Sequence, residues 1–341
     1  MGQRAILHAP TDVGGQAWAI SKGMKELGQN SRTMVLERNY FNYGADIDLE
    51  LKDLGNFQRI VRRWHFFLRA LRRCDVFYFY FAQSLLPYSL DLPLLRLFGK
   101  KVIFIFQGCD IRLQKMSYPT KGKKTIVVDH AATCPVCAKI PDWKKLWRLR
   151  YLELFAHQTY CVNPDLLFVA KAAKFLPYAH ILPKATVTKK PGKVLTLLHA
   201  PTERSVKGTS FIIAAVSQLQ RQGHLIKLKL IEGKPHETVL HEISRADLII
   251  DQVKIGWYGS LAVEALSLGK PVMCFLEPIL IKKSGLKDCP IINVTAETLA
   301  EQIEQVASDP SQLAKLGVRS AAFARRYHDH QAVARLLLRE L

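Results

Sequence analysis

Runs of apolar, β-branched and aromatic residues alternate with segments of helical period along almost the whole chain. RAILHA, TMVLE, DVFYFYF and KVIFIFQG mark the first half, and KVLTLLHA, LIKLKLIEG, ADLIIDQ and KPVMCFL the second. Short runs of this kind, bounded by polar or glycine-containing stretches, predict strands. Between them, apolar positions three and four residues apart predict helices over 16–27, 58–71, 207–222, 259–268 and 296–307. Strand and helix in alternation imply parallel sheets covered by helices, because a parallel connection must cross over the sheet. The expected fold class is α/β: a doubly wound, Rossmann-like domain, built twice.

The break between the two falls in KATVTKKPGK, a polar stretch with Pro191 and Gly192 ahead of a fresh strand. The expected organisation is a domain over 1–183, a linker over 184–193 and a second domain over 194–327. Residues 328–341 carry Val333, Leu336, Leu337 and Leu338 beyond that second domain. This apolar pattern needs a surface to cover, so the last helix is expected to pack back on the first domain. Ligands of open parallel sheets bind beyond the carboxyl ends of the strands. The functional loops are therefore those after Ala9, Phe106, Ala200, Gly233 and Ile250.

A length of 341 residues suits two domains of ordinary size. No stretch reaches the roughly 20 uninterrupted apolar residues of a membrane-spanning helix. The start, MGQRAILHAP, lacks a signal-peptide layout, and seven cysteines are an odd number, so reduced thiols and a cytoplasmic location are expected. The net charge of +20 is uneven: residues 1–180 hold 27 Lys and Arg against 14 Asp and Glu, and the rest 22 against 15. Such an excess points to polyanionic partners, whether phosphorylated substrates, anionic lipid or nucleic acid.

Two segments of the second half carry chemistry. LLHAPTERSVKG sets a strand, a polar loop and a helix start in series, with Arg204 and Lys207 beside helix-opening amides. Cations and free amides together make a diphosphate seat; the competing reading is a loop of solvated charges. ADLIIDQVKIGWYGSLAVEALSLGKPV then supplies a strand, a loop with Gly256 and Gly259, and a helix bearing Glu264. A carboxylate there accepts hydrogen bonds from two sugar hydroxyls, although a lone helix Glu is commonly just solvated.

Together these segments resemble the retaining GT-B glycosyltransferases of the glycosyl transferases group 1, or family 4-like, type, and the resemblance extends along most of the chain. It implies two Rossmann-like domains facing across a cleft, with the nucleotide sugar bound mainly to the C-terminal one. It also implies that Lys207 and Gly208 contact the donor diphosphate, with Arg204 as a further phosphate ligand, and that Gly259 and Glu264, followed by GKPV at 269–272, hold the donor ribose. In the first domain, Gly14 and Gly15 of APTDVGGQA resemble the glycine-rich loop facing donor phosphates or acceptor. Gln107, Asp110 and Arg112 of QGCDIR resemble a His-Gly-x-Asp-x-Arg segment at the cleft. This makes Asp110 a catalytic candidate and Gln107 and Arg112 acceptor-side residues; NPDLL at 163–167 resembles a loop ahead of the linker.

The chain departs from the family pattern at three places. Gly256 stands where paired-glutamate members carry a Glu eight residues before the ribose-binding one, which leaves Asp251 or Gln252 to approach the transferred sugar. Arg204 lies three residues before Lys207 rather than about five. Gln107 replaces His. The implied activity is transfer of a sugar from a nucleotide-sugar donor to a glycan or lipid-linked acceptor, with retention and without a metal. A non-catalytic GT-B-like binding protein and a basic nucleic-acid-binding protein are the alternatives; no recognised nucleic-acid motif supports the last. Asp46-Ile-Asp48 matches the Asp-x-Asp metal signature of GT-A enzymes but lacks its strand context.

Residues 57–73, FQRIVRRWHFFLRALRR, hold six arginines and no acid. Phe57, Ile60, Val61, Trp64, Phe67, Leu68 and Leu71 recur at helical spacing. Such a stripe is core in most helices, but beside arginines it also suits an interfacial helix on an anionic membrane. DWKKLWRLR at 142–150 is a second basic, tryptophan-bearing patch, and the two suggest a peripheral membrane face. Cys134 and Cys137 form a single CxxC, with His130, Cys109, Cys161 or His157 as further ligands for a structural zinc. Without a second CxxC, non-ligating thiols are expected and no cofactor is assigned.

Overall fold

The computed structural model describes residues 4–38, 43–119, 125–129, 132, 134–183 and 192–341. Most of the expected linker, 184–191, and His130 lie outside the described residues. In chain order the strands are β1 (Ala5–Ala9), β2 (Asn30–Val35), β3 (Ile47–Asp48), β4 (Val76–Tyr80), β5 (Lys101–Phe106), β6 (Lys115–Pro119), β7 (Thr125–Asp129), β8 (Gln158–Cys161), β9 (Lys174–Phe175), β10 (Leu195–His199), β11 (Ile226–Leu230), β12 (Leu248–Ile250), β13 (Val272–Cys274) and β14 (Ile292–Asn293). The helices are α1 (Gln16–Glu26), α2 (Asn56–Arg73), α3 (Asp91–Leu97), α4 (Pro135–Lys139), α5 (Asp142–Phe155), α6 (Arg204–Lys207), α7 (Thr209–Arg221), α8 (His236–Arg245), α9 (Ser260–Ser267), α10 (Pro278–Ser284), α11 (Leu299–Ser308), α12 (Ser311–Phe323) and α13 (His330–Leu338).

Two parallel sheets carry the fold. The first runs β3-β2-β1-β4-β5-β8-β9 and the second β11-β10-β12-β13-β14, while β6 and β7 form a separate two-stranded sheet. Every pairing recorded within the two large sheets is parallel. Their central strands are buried on both faces, as the unbroken apolar runs VFYFY and KVIFIF require. In the first sheet, Phe67, Phe77, Phe79, Phe104 and Phe106 are fully buried in one cluster. In the second, Leu197, Ile212, Leu248, Ile250 and Met273 play that part.

The chain divides into two units by contact: Met1–Met116, Pro135–Ala179 and His330–Leu341 make the first, and Ser117–Cys134 with His180–Asp329 the second. Within the first unit α13 lies against α1. His330 Nε2 and Glu26 Oε2 are 2.8 Å apart, and Gln331 Nε2 donates to the same oxygen at 2.7 Å. Gly23 makes the approach feasible, since a Cβ there would stand 2.4 Å from the His330 carbonyl oxygen.

The helix expected over 207–222 is divided. Gly208 adopts the left-handed conformation at φ 76°, ending α6 as its cap and opening α7. Among the described residues no helix is long and apolar enough to cross a membrane.

Candidate functional site

Strand order locates the switch points. In the second sheet β10 lies between β11 and β12, so chain direction across the sheet reverses there and the carboxyl ends of β10 and β12 frame a crevice. Lys207 comes from the loop and short helix after β10, and Asp251 is the residue immediately after β12. Lys207 Nζ donates to Asp251 Oδ1 at 2.6 Å, while the Gly259 backbone N–H donates to Asp251 Oδ2 at 2.7 Å. The carboxylate is fully buried, and the ammonium keeps a small exposed part. A Cβ at Gly259 would lie 3.3 Å from Lys207 Nζ, so the loop backbone passes directly over the ammonium. Val253 N–H donates to the Lys207 carbonyl at 3.1 Å, which ties the two loops together. The result is a Lys207–Asp251 ion pair held at the opening of α9.

Glu264, on α9, is buried, and its Oε1 lies 2.9 Å from His236 Nε2. That hydrogen bond raises the His236 pKa above its ordinary value, against the opposing effect of partial burial. Arg204 reaches Glu232 in a two-pronged contact, Nε to Oε1 at 2.7 Å and Nη2 to Oε2 at 2.5 Å, on the exposed rim. His236 and Glu232 are not expected from the sequence, yet Glu232 follows β11 and His236 opens α8, on either side of Gly233 in the loop that strand polarity marks. Their partnership with residues 28 positions away has no spacing signal.

Gly256 occupies the place of the expected second glutamate. Its φ is 82°, and a Cβ there would stand 2.9 Å from the Glu277 Cβ. This backbone therefore has no room for a side chain at that position. Gln252 is also committed locally: Oε1 accepts from Lys254 N and Ile255 N, and Nε2 donates to the Trp257 carbonyl at 2.5 Å.

A second constellation forms in the first unit, where β1 and β4 flank the switch point. Gly14 and Gly15 both take left-handed φ ahead of α1, whose first turn is held by Asp12 through Ala17 N and Trp18 N. Burial pushes the Asp12 carboxyl up to about 6. Gln107 Nε2 donates to the Val13 carbonyl at 3.2 Å, so the glycine loop and QGCDIR meet. The buried Gln107 Oε1 has no partner among the described residues. Asp110 accepts from the backbone of Gln107 and Gly108, the shortest contact being 2.7 Å, and burial raises its carboxyl to about 6. Arg112 Nε donates to Asp165 Oδ2 at 2.6 Å, and Asn163 Nδ2 to the Gln107 carbonyl at 2.6 Å. Contacts thus join Lys207, Asp251 and Gly259 in the second unit, and the glycine loop with Gln107 and Asp110 in the first, while Arg204 and Glu264 are bonded to Glu232 and His236.

Among the described residues, potential metal ligands are sparse. Asp46 is engaged by Lys25 and Thr33, and Asp48 by Arg38 and Glu50 N. The sulfurs of Cys109 and Cys137, both in the first unit, lie within 4.8 Å of each other.

No protein-family model matches the chain, and no curated protein matches it in sequence. Solved structures do match in fold. Sucrose-phosphate synthase from Thermosynechococcus elongatus aligns with a TM-score of 0.68 at 14% identity, over 99% of this chain and 98% of that one. HepE from Anabaena, in complex with UDP and glucose, aligns at 0.65 and 11% over 99% of both chains. A glycosyltransferase from Rickettsia africae ESF-5 aligns at 0.63 and 12%, over 99% and 98%. The chain has the GT-B fold of these glycosyltransferases, two parallel α/β sheets with flanking helices.

Proposed function

We propose that the chain is a glycosyltransferase that takes its sugar from a nucleotide-sugar donor bound to the second unit. The observation that carries this reading is the buried Asp251 carboxylate, which accepts from Lys207 Nζ and from the Gly259 N–H and so fixes the cation and the glycine loop beside each other at the carboxyl end of β12. A cation and a glycine-lined helix opening suit a diphosphate, and Glu264 suits the ribose hydroxyls beyond it. Because both oxygens of Asp251 are taken from within the chain, the geometry favours Asp251 as a positioning residue for Lys207 over direct contact with the transferred sugar.

In this reading the bond between the anomeric carbon and the diphosphate oxygen breaks as the acceptor hydroxyl oxygen bonds to that carbon, the hydroxyl proton passes to the departing diphosphate, and Lys207 meets the charge that develops on the leaving group. Turnover is then expected without added metal. Retention and a hexosyl donor are proposed from the resemblance of the C-terminal motifs; HepE, solved with UDP-glucose, makes uridine donors the first to try. Gly14, Gly15, Gln107, Asp110 and Arg112 are proposed to form the acceptor side, where the unpartnered Gln107 oxygen supports a hydroxyl donor as ligand. The acceptor is proposed to be a glycan or a lipid-linked sugar.

The test is calorimetry with nucleoside diphosphates, followed by rates with the matching nucleotide sugar. Lys207→Ala is expected to weaken diphosphate binding and Glu264→Ala to weaken nucleoside binding, each by about ten- to a hundredfold, the loss of one charged hydrogen bond. Unchanged affinity in both folded variants overturns the assignment. Donor binding with neither transfer nor donor hydrolysis would instead favour a non-catalytic binding protein.

A further inference from the structure

We propose that the first unit docks on an anionic lipid bilayer through the rim at the carboxyl end of its sheet. α2 supplies the first part of this rim. Its seven-residue apolar pattern is not one buried stripe: Phe67 and Leu71 are buried and Trp64 packs on the core, but Phe57, Ile60, Val61 and Leu68 are exposed at 78%, 45%, 49% and 49%. The helix therefore has more apolar surface than the core covers. Two further elements add to it, with Tyr88 and Leu90 after β4 at 93% and 52%, and Trp143 and Trp147 on α5 at 67% and 68%.

Sheet polarity places these residues together. A helix that precedes a parallel strand runs antiparallel to it and so starts at the carboxyl edge of the sheet. Phe57, Ile60 and Val61 lie in the first turns of α2, Trp143 and Trp147 in the first turns of α5, and Tyr88 and Leu90 in the loop leaving β4. A groove of about 680 Å³ joins the three elements, lined by Arg63, Tyr88, Trp143, Lys144, Trp147 and Arg148. Beside it, across Arg63, a smaller groove of about 320 Å³ opens over the β1 and β2 strand ends, lined by Pro10, Thr11, Glu37, Arg59 and Gln83.

Charge selects the occupant. α2 has six arginines and no acid, and Lys144 and Arg148 are exposed beside Trp143 and Trp147. The Arg63 guanidinium is fixed on the Leu85 and Ser84 carbonyls, which anchors α2 to the Tyr88 loop. Asp91 is buried beneath the rim and bonded to Ser84, Leu85 and Leu86, so its charge does not face outward. Exposed tryptophan and tyrosine with aliphatic neighbours and cations match the headgroup region of an anionic bilayer. A nucleic acid would use the cations and aromatics, but it has no use for Ile60, Val61 and Leu90.

Bilayer binding stands apart from the transferase reading, but its consequence rests on it: the loops after β1 and β5 that carry the proposed acceptor residues leave the same carboxyl edge of the first sheet, so a lipid-linked acceptor would arrive from the membrane.

The experiment is sedimentation of the full chain with vesicles of phosphatidylcholine alone or mixed with phosphatidylglycerol. The wild-type protein is expected to bind the mixed vesicles, less so as salt rises. Each cation near an anionic surface contributes about fivefold in affinity, so Lys144→Glu with Arg148→Glu is expected to weaken binding by at least about twentyfold. Trp143→Ala with Trp147→Ala is expected to reduce it similarly. These side chains are exposed, so melting temperature and nucleoside diphosphate affinity should not move, which separates failure here from failure of the donor site. The proposal is overturned if the wild-type protein ignores the mixed vesicles, if the tryptophan variant binds them unchanged, or if the protein prefers single-stranded RNA to them.

Discussion

At the scale of single residues, pairings made across long sequence separations determine the second unit's crevice. Lys207 and Asp251 are 44 positions apart and share one strong ion pair, and His236 reaches Glu264 across 28. The second pair yields a titration prediction. Because the Glu264 carboxylate raises the His236 pKa above 6.5, the folded protein holds that proton more tightly than the unfolded chain does. The stabilisation from the pair is therefore complete below 6.5 and is lost as pH rises through the raised value. Proton NMR of His236 should give a midpoint above that of a free imidazole, and Glu264→Gln should bring it down. A midpoint that stays put in the variant would remove the carboxylate as the cause. None of this was legible in the sequence: the strand-end rule marked the loop that carries His236, but neither its partner nor the crowding at Gly256 has a spacing signature.

At the scale of elements, the alternation of apolar runs with helical segments was a sufficient guide to the sheets, because a strand buried on both faces leaves an unbroken apolar run. Where the pattern failed, a physical cause is visible. The 207–222 helix reads as continuous because its apolar spacing carries on across Gly208, while the left-handed backbone at that glycine divides it. In α2 the period identifies apolar positions, but periodicity cannot say whether anything covers them. Phe57 and Phe67 occupy one helix and one apolar pattern yet meet opposite environments. Phe67→Ala is expected to cost about 3–5 kcal/mol through lost burial and the cavity left behind. Phe57→Ala should stay within about 0.5 kcal/mol, as an exposed substitution does. Urea denaturation of both variants checks this, and comparable losses would mean that α2 packs differently along its length.

At the scale of the whole molecule, the final residues belong with the opening ones. α13 contributes Val333, Ala334 and Leu337, all buried, to the first unit, where α1 lies against it. The end of the chain adds polar ties to the same unit: Arg4 Nη1 donates to the Leu341 carbonyl at 2.5 Å, Tyr160 Oη to Glu340 Oε2 at 2.5 Å, and Lys174 pairs with Glu340 at 2.8 Å. Burial of Val333 and Leu337 alone is worth about 3–6 kcal/mol, on the order of the net stability of a whole domain. A chain ending at Asp329 is therefore expected to lose the first unit's integrity even though every strand of its sheet is retained. Hydrogen exchange locates the damage: amides of α1 should lose protection first, since removal of α13 exposes the face around Gly23. Adding a synthetic peptide of residues 330–341 should restore part of that protection as the helix re-docks. The truncated chain keeping its α1 protection intact would mean that the terminal helix rests on the first unit without supporting it.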